Sequence, residues 1–486
     1  MSRADIRSTL RKIGTHMWEI PPTARDKMRV RGLLFANETL LNEMEDEAIY
    51  QLTNVATLPG MVDPVVAMPD AHTGYGLPVG AIGASDHEEG IVSAGMTGFD
   101  INCGIRVLST NLTVADVKPV LERLINQIFH DVPSGVGSTG AISLSMPELD
   151  ELLETGAYWA YEHGYGIKED VERIEENGRL KGANSDAVSS LAKKRGKEQI
   201  GTLGAGNHFL EIQKVDRIYE PEIAKRFGIT HEGQITVMVH TGSRGLGHQV
   251  ATDYLREMEQ YISRNNIWLP DKQLVYAPAK TQIAERYLQA MRCAANYAFA
   301  NRSMITHWIR HSFEKVMGRN WESMGLKVIY DVTHNICKEE EHVVNGEKRM
   351  LYVHRKGATR AFPAGHPDVQ EFYRDIGQPV LIAGSMGTAS YILVGTKKAM
   401  ELAYGSTCHG SGRVKSRTKA MKDETGREVL NKLRRQGIIA RATDIRLLSE
   451  ESPSAYKNVD EVVRTVHEAG VSRMIVRLVP IAVAKG

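Results

Sequence analysis

Gly98-Phe99-Asp100-Ile101-Asn102-Cys103-Gly104 sets a carboxylate and a thiol three residues apart, between glycines. The alternating run Ile105-Arg106-Val107-Leu108-Ser109-Thr110 follows at once and reads as a β-strand. The motif is therefore a loop feeding a sheet, and thiolate and carboxylate at this spacing can share one metal ion or two adjacent ones. Three histidines sit at similar boundaries between an apolar run and a polar loop: His208 in Gly-Asn-His-Phe-Leu-Glu, His240 in Val-His-Thr-Gly-Ser-Arg-Gly and His334 in Asp-Val-Thr-His-Asn.

Outward from that stretch, strand-like runs occupy 64–68, 235–240, 327–332, 350–354, 379–383 and 474–479, with a hairpin at Asn345-Gly346. Helical periodicity marks 114–131, a polar region at about 145–198, 248–263, the long segment 277–317 and the basic segment 415–436. Residues 1–50 read as charged amphipathic helices broken at Pro21-Pro22. Strands and helices mix irregularly rather than alternating, so the expected class is α+β. The expectation is a single large domain over 1–486, with N-terminal helices at 1–50, a motif-bearing core over 64–486 and a deep central cleft.

Composition sets the bounds. Of 486 residues, 42% are apolar and 24% charged, as in a soluble globular protein. A formal net charge of +1 gives no global field for nucleic acid, so any such binding rests on local patches. Cys103, Cys293, Cys337 and Cys408 lie far apart without a disulfide-scaffold spacing, which points to a reducing compartment. Cys293, among Ala, Met and Tyr in a helical pattern, reads as packing. No apolar run is long enough to span a membrane, and the N-terminus has no apolar leader, so a cytoplasmic location is expected.

Asp100, Cys103, His208, His240 and His334 exceed the four ligands of a closed zinc site and suffice for two ions bridged by Cys103. Softness of the donors alone favours zinc. Asp70 and His72, two apart before a glycine turn, read either as active-site groups or as a turn in which Asp70 bonds backbone. In Cys408-His409-Gly410-Ser411-Gly412-Arg413 the glycines leave room around His409, and Arg413 offers a fork suited to phosphate. A neutral imidazole there can attack phosphorus and form a phosphoramidate; the alternative is a further metal ligand or a residue supporting one. The glycine-rich turn around Arg244 feeds a helix and can face an anion, but lacks the P-loop lysine.

These motifs, with Met-Pro-Asp-Ala-His-Thr-Gly-Tyr-Gly, Arg-Lys-Gly-Ala-Thr-Arg, Gly-Ser-Met-Gly and the terminal Lys-Gly, resemble the RtcB family of GTP-dependent RNA ligases, in order from about residue 64 to the end. The resemblance implies that His409 takes GMP from GTP and passes it to an RNA 3′-phosphate derived from a 2′,3′-cyclic phosphate. A 5′-hydroxyl then displaces GMP and seals the strands, in tRNA splicing or RNA repair. It implies two Mn²⁺ ions on Asp100, Cys103, His208, His240 and His334. Nucleotide contacts fall by the same matching to Asn207, Phe209, Glu211, Ser385, Ser390, Gly410, Gly412, Tyr456 and Lys485. Arg244, Arg413, Asp70 and His72 would meet RNA or the reacting phosphate. Partners implied are RNA ends and an archease-like activator, without a membrane. Two other classes use part of the same residues: a binuclear phosphoesterase, which has no need of His409, and a non-catalytic nucleotide-binding regulator.

Overall fold

The computed structural model describes residues 3–486. Two sheets carry most of the strands. The first has the order Arg11–Gly14, Met17–Ile20, Gly32–Phe35, Val65–His72, Val79–Asp86, Glu347–Lys356, Asn335–Val344. The second has the order Lys327–Thr333, Gly104–Thr113, Gln234–Thr241, Phe209–Ile218, Ser472–Lys485, Ser390–Gly395, Pro379–Ile382, with Ile439–Ala442 parallel to Ser472–Lys485. Mostly antiparallel pairing, with helices in irregular order, makes the class α+β, as the sequence implies. Asn345 and Gly346 both take positive φ, 54° and 85°, the conformation a two-residue hairpin turn demands.

The second sheet is buried on both faces. Ile105 and Val107 pack with Met238 and Ile329 on one side; Leu108 and Leu112 pack with Val237 and Ile305 on the other. Ile305 belongs to the 36-residue helix Gln282–Met317, which starts where Thr281 caps the Ala284 amide and stops at left-handed Gly318. Cys293 is buried in this helix, as packing requires. No helix of the described residues is long and apolar enough to cross a membrane.

The first 50 residues depart from the expectation of helices. Arg11–Gly14, Met17–Ile20 and Gly32–Phe35 are strands, and the α-helices there begin only at Glu38 and Asp46. The cause is tertiary: Gly32–Leu34 pairs in parallel with Val65–Ala67, so Gly-Leu-Leu-Phe is fully buried as a strand. Short apolar runs between charges carry too few residues to separate a period of 2 from one of 3.6.

Asp100 and Cys103 precede their strand, as the alternation after Cys103 implies, and His240 lies near the end of its strand and His334 just past one. His208 is the correction: it precedes a strand instead of ending one. Antiparallel register still gathers them, because Ile105 and Phe209 both pair with His240, and Gly104 pairs with Thr333.

Beneath that edge lies Arg302 of the long helix, 0% exposed. Its Nη1 donates to the Asn102 carbonyl at 3.0 Å and the Thr241 carbonyl at 2.8 Å. Nη2 donates to Asn102 Oδ1 at 2.9 Å and to Asp331 Oδ1 at 2.8 Å, while Arg106 Nε reaches Asp331 Oδ2 at 2.8 Å. One guanidinium thus ties the Asp100/Cys103 loop to the residue after His240 and to the strand leading to His334. Replacing Asp331 by Asn would leave two buried guanidiniums undercompensated, at a cost of roughly 3–5 kcal/mol. The expected outcome is a large fall in the apparent melting temperature, read by differential scanning fluorimetry; a shift within a degree of wild type would refute the clamp.

Candidate active site

A cleft of about 270 Å³ opens at this edge. His72, Asp100, Cys103, Asn207, Phe209, His240, His334, Ser385, His409, Gly410, Gly412, Arg413, Tyr456 and Lys485 line it. Asp70, His208, Glu211, Arg244 and Ser390 are set back from the lining. A larger groove of about 890 Å³ elsewhere, with Arg179, Lys338, Glu176 and Glu371 in its wall, contains none of the expected residues.

The donor cluster comes first. Ligand atoms of Asp100, Cys103 and His208 all lie within 4.8 Å of one another. Cys103 Sγ is 3.2 Å from His240 Nε2 and 3.6 Å from His208 Nε2. His334 extends the row, its ring centroid 5.4 Å from that of His240 and 5.2 Å from that of His409.

Several features of this row ask for cations. His208 Nδ1 lies 3.0 Å from the Leu203 carbonyl and its Nε2 2.8 Å from Asp100 Oδ2, so both ring nitrogens face oxygen acceptors. Asp100 Oδ1, His240 Nδ1 and His334 Nε2 are buried without a partner, each costing on the order of 1–3 kcal/mol if left so. Burial, then the neighbouring imidazoles, pushes His240 and His334 well below the ordinary histidine range, which keeps them neutral. Burial and the Asp100 charge push the Cys103 thiol well up, so its thiolate needs a bound cation. Burial opposes ionisation of Asp100, but the charge and hydrogen bond of His208 outweigh it and hold the carboxyl below its usual range. An N, O and S donor set of this kind fits divalent transition ions.

His409 follows the strand Ser406–Cys408, which pairs with Ala358–Arg360 and so brings Thr407 opposite Thr359. Thr359 Oγ1 is 3.3 Å from His334 Nδ1, which links the two histidines. Asp70 is fully buried, and its Oδ2 accepts from His409 Nδ1 at 2.6 Å, from the His409 amide at 3.0 Å and from the Gly410 amide at 3.2 Å. Burial works against its charge, but His409 and Lys457 hold the carboxyl below its ordinary value. Gly412 has φ +72°, and a Cβ there would lie 2.1 Å from the Asp70 carbonyl, so only glycine lets the loop close on Asp70. His72 Nδ1 lies 3.1 Å from that carbonyl, and burial lowers the ring to about 4.

The far wall mixes aromatic, cationic and carboxyl groups. Lys485 Nζ stands 5.7 Å from the Phe209 ring centroid, in a strand pair that sets the two residues opposite each other. Burial raises the Glu211 carboxyl to about 8, against the opposing pull of Gln213 and Lys485. Gln213 Nε2 donates to Glu211 Oε2 at 2.8 Å and to Ser390 Oγ at 3.3 Å. Tyr456 donates to Glu451 and accepts from Arg413 Nη1 at 2.9 Å.

Arg244 departs from the expectation of a phosphate ligand in this conformation. Its Nε donates to Thr202 Oγ1 at 3.2 Å and its Nη2 to the Gly135 carbonyl at 3.5 Å, so the guanidinium is spent on protein. Sequence reasoning gave no role to Lys356, Arg417, Glu451 or Lys457. Lys356 lines the cleft, and burial draws it down to about 7; its Arg-Lys-Gly-Ala-Thr-Arg motif was the available signal. Lys457 Nζ donates to the carbonyls of Pro69 at 2.9 Å and Ala71 at 2.7 Å, straddling Asp70, and no local pattern announces that contact.

Comparison with known proteins agrees with this geometry. The family model described as tRNA-splicing ligase RtcB matches residues 51–486. Several curated proteins named tRNA-splicing ligase RtcB are similar along nearly their full length. That of Thermococcus kodakarensis is 51% identical over 98% of this chain and 99% of its own. That of Nanoarchaeum equitans is 52% identical over the same shares, 98% and 99%. That of Pyrobaculum aerophilum is 51% identical, again over 98% and 99%. The chain belongs to the RtcB family of tRNA-splicing RNA ligases.

Proposed function

We propose that this RNA ligase joins a 3′-phosphate or 2′,3′-cyclic phosphate end to a 5′-hydroxyl end, through GMP carried on His409. The observation that carries the reading is the Asp70–His409 pair at 2.6 Å, set at the end of the donor row. Asp70 accepts the Nδ1 proton, which fixes the tautomer and leaves the Nε2 lone pair as the nucleophile. Nε2 attacks the α-phosphorus of GTP, a P–N bond forms, and the bond to pyrophosphate breaks. The developing imidazolium keeps its Nδ1 proton against the Asp70 carboxylate. Water first opens a 2′,3′-cyclic end to a 3′-phosphate. An oxygen of that 3′-phosphate attacks the GMP phosphorus as the P–N bond to His409 breaks, and the 5′-hydroxyl then attacks the RNA phosphorus and releases GMP.

Asp100, Cys103, His208, His240 and His334 would hold two divalent ions, Mn²⁺ on family grounds, which when bound draw negative charge from the phosphoryl oxygens. Asn207 faces the phosphates. Arg413, whose Nε, Nη1 and Nη2 donate to the Lys415 carbonyl at 3.0 Å, Tyr456 Oη at 2.9 Å and the Glu450 carbonyl at 2.9 Å, would meet a phosphate only by exchanging one of these partners. Phe209 flanks the guanine, while Glu211, Ser385, Ser390, Tyr456 and Lys485 complete its pocket. Giving up the proton that burial keeps on it, Glu211 would accept from guanine N1–H and the 2-amino group while Lys485 donates to O6; adenine would leave these buried groups unpaired. RNA ends are the substrates, with an archease-like activator as partner and the cytoplasm as the place of work.

Incubation with Mn²⁺ and [α-³²P]GTP tests the reading. Acid-labile label on denatured protein, absent in His409→Ala, is the expected result; cleavage of phosphate esters without any adduct would point to a hydrolase instead. Asp70→Asn is expected to slow labelling by about 10²-fold or more, since the ring loses its fixed tautomer. Cys103→Ala should bind fewer Mn²⁺ ions per chain in isothermal titration calorimetry, and an unchanged count would remove Cys103 from the bridge.

Glu211 supplies a pH dependence. Its folded value of about 8 exceeds the ordinary glutamate value of 4.5, so between those limits the folded chain holds a proton that the unfolded chain has released. The contribution to stability is complete at low pH and is lost as pH rises towards 8. The melting temperature of Glu211→Gln, without nucleotide, should therefore fall less between pH 5 and pH 8.5 than that of wild type.

A further inference from the structure

We propose that Tyr75, Phe99 and His248 form a platform at the lip of the cleft on which the nucleobase of an RNA end stacks. This deepens the ligase reading above and rests on it.

Phe99 is the residue before Asp100 and lines the same cleft. Tyr75 meets it edge to face, centroids 5.2 Å apart at 67°, and His248 lies nearly parallel to it at 6.3 Å and 21°. Tyr75 and Phe99 are only partly buried, and His248 is exposed. Rings placed for packing alone would be covered; these three are left open beside a polar site.

Their backbones are nonetheless held hard. Gln51 clamps Gly74 in both directions, Nε2 to its carbonyl at 2.6 Å and its amide to Oε1 at 3.0 Å. Gly76, at φ +70°, has no room for a side chain, since a Cβ would lie 2.8 Å from the Gly95 carbonyl oxygen. The helix bearing His248 sits directly on the Asp100 loop, with a Cβ on Gly247 only 3.5 Å from the Ile101 amide. Rigid, half-open aromatics bind flat ligands at low entropic cost.

The charge beside the rings is mixed: Glu259 and Asp271 act on Tyr75, and Lys356 and Arg195 supply the basic groups. Lys356 Nζ donates to the Tyr75 carbonyl and lies 5.9 Å from that ring centroid. Arg195 Nη1 reaches Gln249, the neighbour of His248, at 2.9 Å. Cations flanking stacked rings are the chemistry of single-stranded nucleic acid sites, and stacking tolerates any base because every base has a π face. A base on Phe99 would leave its own terminal phosphate or hydroxyl one residue away, at Asp100.

The test uses short RNAs ending in 2-aminopurine or in an abasic nucleotide, at the 5′-hydroxyl or the 3′-phosphate end. Binding is read on wild type, Phe99→Leu and His248→Ala, each scored on its GMP-labelled fraction. In wild type, one of the two ends should show quenched 2-aminopurine fluorescence and bind about tenfold more weakly when abasic. Both variants should lose the quenching and most of the preference for a base over an abasic end. His248→Ala, at an exposed position, keeps the test open should Phe99→Leu fail to fold. Wild type indifferent to the abasic end, or variants that discriminate as wild type does, would overturn the platform. A wild type that takes no GMP label would instead sink the ligase reading.

Discussion

Arg302 is the interaction on which the site depends. A guanidinium with 0% exposure must have its donors answered, and here the answers come from Asn102, Thr241 and Asp331. Those partners flank Cys103, His240 and the strand that delivers His334. The electrostatic requirement of one buried charge thereby becomes a spatial requirement on three loops. The close fit at Gly104, where a Cβ would lie 2.1 Å from the Val332 carbonyl, shows how little freedom the clamp leaves.

Above the clamp the site divides into three chemistries by burial. The donor row is dry and mostly neutral, with His240 and His334 held as free bases and the Cys103 thiol resistant to ionisation. Such a row is poor as a structure on its own and well suited to cations. The Asp70–His409 pair is the opposite case, a carboxylate kept charged beside an imidazole and braced by Lys457 through flanking carbonyls. The Glu211–Lys485 wall is a third environment, in which burial keeps a carboxyl protonated up to about 8. In the ligase reading these become the ion site, the nucleophile and the base-reading pocket.

The sequence made the donors legible because each sits where an apolar period stops, and such boundaries survive any error in the exact ends of a strand. Asp100 and Cys103 lie ahead of their strand, as the alternation after Cys103 implies, while His208 precedes its strand rather than ending one; antiparallel pairing sets starts beside ends. The N-terminal strands were hidden because Gly32–Phe35 becomes a strand only through pairing with Val65–Ala67. What sequence could not reach was contact across hundreds of residues. Asp70 meets His409 across 339 positions, a contact no local pattern announces. Arg244 shows the reverse: its glycine-rich turn can face an anion, and here its guanidinium bonds Thr202 and Gly135.

The most direct test of the whole account is manganese-edge anomalous diffraction from crystals grown with Mn²⁺ and GTP. The account predicts anomalous peaks among Asp100, Cys103, His208, His240 and His334, with GMP density continuous to Nε2 of His409. Peaks placed away from those five side chains, or GMP joined to another residue, would contradict it.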